Sequence, residues 1–106
     1  QKFLDDAARS VCRARVALDQ DSPADDRVLL RFVPATADEQ ATPAQVDANL
    51  QHLLRRFHQR RVRREDPELV GWRFQFEATR FGGATGPEAW EAVCVALMTH
   101  PDFYTY

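Results

Sequence analysis

The densest chemistry in the sequence is a run of arginines. Arg55-Arg56-Phe57-His58-Gln59-Arg60-Arg61-Val62-Arg63-Arg64 carries six guanidinium groups in ten residues and no carboxylate. A guanidinium presents a planar fork of donors that matches carboxylate and phosphate oxygens. Arg55, Arg56, Arg60, Arg61, Arg63 and Arg64 are therefore candidate contacts to an acidic protein partner or, alternatively, to nucleic-acid phosphate. The competing account is a solvated helix end, neutralised within the chain by Glu65, Asp66 and Glu68, which follow at once. Phe57 falls on an apolar helical stripe, which ties the run to the core and argues against a free basic arm.

Other reactive residue types are sparse. The histidines are His52, His58 and His100. His52 and His58 sit about 120° from aligned on a helix with 3.6 residues per turn, and neither an i, i+4 His pair nor an HExxH zinc motif is present. No metal ligand is expected on that spacing. His100, beside Pro101, reads as an ordinary imidazole at a helix C-terminus. Gly82-Gly83-Ala84-Thr85-Gly86 lacks the Lys-Ser/Thr of a phosphate loop and reads as a helix connection; GxSxG and GxGxxG are absent. The carboxylates gather at helix starts, where capping accounts for them. No catalytic residue and no cofactor is assigned, and the chain is expected not to be an enzyme.

Cys12 and Cys94 form no CxxC or CxxCH pattern. They read either as two buried thiols, which pack like small hydrophobes and fit a cytoplasmic setting, or as one disulfide joining the first and last long helices. In the chain-entropy model a loop of that size contributes roughly 4 kcal/mol, and the bond implies an oxidising compartment.

The elements that must position these groups are helical. With 106 residues, 44% hydrophobic and 28% charged, the chain is long enough for one core and too apolar for wholesale disorder. No run of about 18 apolar residues exists to span a membrane. The net charge of −2 argues against a generally basic nucleic-acid binder. It is unevenly placed: net −3 over residues 1–54, +6 over 55–64 and −5 over 65–106.

A first helix is expected over Lys2 to Leu18, with Leu4, Ala8, Val11 and Leu18 on one stripe and Ala7 and Ala14 beside it. The run Arg27 to Pro34 is read as a short helix, because a lone strand could not satisfy its backbone. Thr42-Pro43-Ala44-Gln45 opens a second long helix with a capping box. Val46, Leu50, Leu53, Leu54 and Phe57 form its stripe, and it should stop near Gln59 to Arg61, where the stripe would meet Arg61. Asp66-Pro67-Glu68 opens a third helix, on which Leu69, Val70, Trp72, Phe74, Phe76 and Phe81 cover a wide arc; that width predicts a central helix. Thr85-Gly86-Pro87-Glu88 opens a fourth, burying Trp90, Val93, Cys94, Leu97 and Met98. The expected fold is an all-α bundle of four main helices plus one short helix, the third helix central. The aromatic tail through Tyr104 and Tyr106 is expected to dock on the body or on a partner.

Ala89-Trp90-Glu91-Ala92-Val93-Cys94-Val95-Ala96-Leu97-Met98-Thr99-His100-Pro101-Asp102-Phe103 resembles the AWxAVCxALLxxPEF ending of large exported planctomycete- and myxobacterium-type bacterial proteins. Residues 42–64 resemble the helical stretch preceding that ending. Such chains often carry cytochrome-c-like modules, but their CxxCH haem motif is missing here, so no haem ligand carries over. The resemblance implies a C-terminal helical module, periplasmic or cell-surface, and this context favours the Cys12–Cys94 disulfide. It also raises a third reading, an accessory subunit of a haem-containing electron-transfer assembly. From its length, residues 1–106 are expected to form a single helical domain, and the start at Gln1 without a signal sequence reads as a fragment or processed C-terminal part of a longer precursor. Its expected role is a structural or interaction module of a larger exported protein or complex. The residues expected to contact its protein partner are the six arginines, Tyr104 and Tyr106.

Overall fold

Three helices begin where proline can stand without loss of a hydrogen bond and a side chain can take up an orphan N–H. In the computed structural model, which describes residues 2–104, Thr42 Oγ1 accepts from Gln45 N–H at 3.2 Å while Gln45 Oε1 accepts from Thr42 N–H at 2.9 Å. Thr85 and Glu88 repeat this box at 3.3 and 2.8 Å, and Asp66 Oδ1 accepts from Glu68 N–H at 2.9 Å. The helices so started are α2 (Pro43–His58), α3 (Pro67–Phe81) and α4 (Gly86–Thr99). They follow α1 (Lys2–Gln20) and precede a single turn, α5 (Pro101–Tyr104). No strand occurs among the described residues. The fold is all-α with four main helices, and among the described residues no helix is long and apolar enough to cross a membrane.

The centre of the bundle is α4, not α3. Ala89, Trp90, Val93, Cys94 and Leu97 are buried, and α4 packs against α1, α2, α3 and α5. On α3 only Leu69 and Phe76 are buried; Val70 is half exposed, and Phe74 and Phe81 are 75% and 95% exposed. The wide aromatic arc thus has one covered half, where Phe76 meets Trp90 with ring centroids 4.4 Å apart, and one open half. The buried stripe of α1 is also rotated from expectation. It runs Ala8, Cys12, Val16, Asp19, while Val11 and Leu18 are each 53% exposed. Cys12 and Cys94 form a disulfide across the α1–α4 contact, both sulfurs' residues fully or almost fully buried.

The short helix expected over Arg27 to Pro34 does not form. That stretch follows a 3-10 turn (Ala24–Asp26) and crosses the core in an irregular conformation, with Leu29, Leu30, Val33 and Ala35 buried. Its backbone is satisfied by side chains of neighbouring helices. Asp19 Oδ2 accepts the N–H groups of Leu29 and Leu30 at 2.6 and 3.0 Å, and both its oxygens face Val28 N–H. Asn49 donates to Leu29 C=O at 2.9 Å and accepts from Phe32 N–H at 3.0 Å. His52 Nε2 lies 3.0 Å from Val28 C=O. The short helix of the fold is instead α5.

Candidate functional site

The arginine run is split by a turn. Helix α2 ends at His58, and Gln59 takes left-handed backbone angles (φ 56°, ψ 37°). Arg60 N–H then reaches back to Leu54 C=O at 3.2 Å. From there the chain doubles back along α2: Gln51 Nε2 donates to Val62 C=O at 2.9 Å, and Arg64 Nε donates to Asp47 Oδ2 at 3.0 Å. Val62 packs against the core. Arg61 and Arg63, on either side of Val62, are exposed.

Two of the six arginines have ion-pair partners within the fold. Arg60 contacts Glu68 at 2.7 Å and Asp102 at 3.0 Å. Arg64 shares Asp47 with Arg73, whose Nε lies 2.6 Å from Asp47 Oδ1. Burial of Asp47 pushes its carboxyl upward, but the Arg73 and Arg64 guanidiniums together outweigh this and hold it below the ordinary carboxylate range. Asp47 therefore adds stability above the unfolded-chain value near 3.8, and that contribution is lost as pH falls through the lower folded-state value. Arg55, Arg56, Arg61 and Arg63 are exposed and have no ion-pair partner among the described residues. Tyr106 lies outside the described residues, and of Tyr104 only the backbone closing α5 is described.

The histidines divide in the same way. His52 stands half-buried against the 27–35 segment, edge-on to Phe32. Burial lowers its pKa, opposed by the bond to Val28 C=O and assisted by Arg56 and Arg31. His100 follows the last residue of α4, but its Nδ1 serves the next helix instead: it accepts from Asp102 N–H at 3.0 Å, in the first turn of α5. His58 is buried at the end of α2, with Nε2 3.0 Å from Leu97 C=O on α4. Its Nδ1 has no hydrogen-bond partner among the described residues. The His58 and His100 rings lie 5.0 Å apart, and Trp72 stands 6.1 and 6.3 Å from them. One donor atom from each of His58, His100 and Asp102 lies within 4.8 Å of the other two. Spacing along the chain gave no sign of this cluster, because α2 and the α4–α5 corner meet only in the folded bundle.

A third feature is a groove of about 840 Å³ between α3, the start of α4 and the 33–41 segment. Phe76 and Trp90 lie at its covered side, and Phe74 and Phe81 stand exposed at its edge.

No family model matches the sequence, and no curated protein or solved structure is significantly similar to it.

Proposed function

We propose that this domain is a non-enzymatic docking module of a larger exported protein or complex, and that it binds an acidic protein surface through Arg55, Arg56, Arg61 and Arg63. The observation that carries the reading is the unequal treatment of the arginines. Asp47, Glu68 and Asp102 neutralise Arg60, Arg64 and Arg73, whereas four guanidiniums on the last turn of α2 and the irregular return remain open to solvent. Exposed guanidiniums keep their donors available for bidentate pairing with carboxylates, and a local cluster of one sign steers an oppositely charged partner. The acidic balance of the remaining chain opposes a long polyanion, which favours a compact acidic protein patch over a nucleic acid. The buried Cys12–Cys94 disulfide supports an oxidising, extracytoplasmic setting.

The test is binding of a fluorescent Glu/Asp-rich peptide and of a DNA duplex, each across a salt series. The peptide is expected to bind at low salt, to weaken as salt rises, and to lose at least about tenfold in affinity when Arg55, Arg56, Arg61 and Arg63 are all changed to Glu, with the melting temperature retained. Arg60 and Arg64 are left intact because their ion pairs belong to the fold. Peptide binding that is absent, or unchanged in the fourfold variant, refutes the reading. Tighter binding to the duplex replaces it with the nucleic-acid alternative.

A further inference from the structure

We infer that His58, His100 and Asp102 form a binding site for a divalent transition-metal ion of the zinc class. The first observation is convergence: one donor atom from each lies within 4.8 Å of the other two. The second is independent of it. His58 is 92% buried, since only 8% of it is exposed, and its Nδ1 has no partner among the described residues. Leaving a buried polar atom unpaired costs about 1–3 kcal/mol, so an interior nitrogen without a partner calls for a ligand.

The protonation pattern fits a metal. A backbone carbonyl can only accept, so the contact with Leu97 C=O at 3.0 Å places the His58 ring proton on Nε2. In the neutral ring, Nδ1 then carries a bare lone pair. Metal-bound imidazoles characteristically donate their second ring N–H to a carbonyl in this manner, which fixes the ring and its tautomer. His100 Nδ1 has its one lone pair taken up in accepting from Asp102 N–H at 3.0 Å, a bond that a metal there would replace, and Asp102 Oδ2 lies 3.9 Å from it. Two neutral imidazoles and one carboxylate, with a position left for water, make a donor set that zinc accepts in tetrahedral geometry.

Three adjustments accompany loading. Ligand atoms around a tetrahedral ion with 2.0–2.1 Å bonds stand about 3.3 Å apart, so the cluster must contract. Asp102 must also turn from Arg60, which retains Glu68 at 2.7 Å, and its N–H must release His100 Nδ1. His100 and Asp102 lie at the single-turn helix α5 and its approach and are partly exposed. Arg60 is therefore a competitor of the metal for Asp102.

The experiment is calorimetric titration of the disulfide-intact chain with ZnCl₂ alone, paired with melting curves. One ion per chain is expected, with a melting temperature that rises as zinc is added. His100→Ala, at a partly exposed position, should weaken binding at least tenfold and abolish the zinc-dependent rise. Arg60→Gln should tighten binding severalfold by releasing Asp102. No binding at millimolar zinc, or equal affinity in His100→Ala and the unsubstituted chain, would overturn the assignment. Weaker binding in Arg60→Gln would overturn it as well.

Discussion

Asp19 has no exposed surface, yet its carboxylate is among the most heavily used groups in the molecule. It accepts from three consecutive backbone N–H groups, Val28, Leu29 and Leu30, and from Arg15 one turn earlier on its own helix. Charge-assisted bonds of this kind offset the cost of removing a carboxylate from water. Asp19→Ala would orphan the three donors together, two of them fully buried. At about 1–3 kcal/mol per unsatisfied group, we expect a loss of more than about 3 kcal/mol in urea unfolding. Asp19→Asn should cost less, because its amide oxygen still accepts. Asn49 and His52 complete the same task from α2, and together the three polar side chains do for residues 27–35 what a helix or sheet ladder does elsewhere.

At the scale of elements, the long helices were legible because their starts are local. Thr42 with Gln45, Thr85 with Glu88, and Asp66 each act within three residues of themselves. The end of α2 was legible too, since Arg61 would have entered the core stripe. Residues 27–35 were not: the groups that satisfy their backbone lie 9 to 24 positions away on other helices. The stripe of α1 was misplaced for the same reason. It includes Asp19, and a carboxylate on an apolar face reads as solvent-facing unless the donors that surround it are known. The position of α3 was misjudged because a count of aromatics does not say which of them are covered. Of the candidate site, the arginine run was visible, but its division into paired and open members depended on the return of the chain after Gln59. That turn also carries a strain that can be measured. Gln59 is the only non-glycine residue with positive φ among those described, and a Cβ in this region costs roughly 1–2 kcal/mol. Gln59→Gly should therefore raise stability by up to about 1 kcal/mol, read as a shift in the urea midpoint at constant slope.

The molecule as a whole is closed by one covalent link between its first and fourth helices. The disulfide joins positions 82 residues apart, and both cysteines are shut away from solvent. The return segment bearing Arg61 and Arg63 lies inside that loop, without helical protection and open to solvent. Trypsin, which cuts after arginine, should find its first targets there. A chain clipped at Arg61 or Arg63 is expected to run as one band on a non-reducing gel and as two fragments once dithiothreitol is added. Fragments that separate without reductant would show that the bond is missing from the protein in solution. The domain is thus a hoop with its most vulnerable stretch on the rim, so that a single hydrolytic cut interrupts the polypeptide but cannot release either piece.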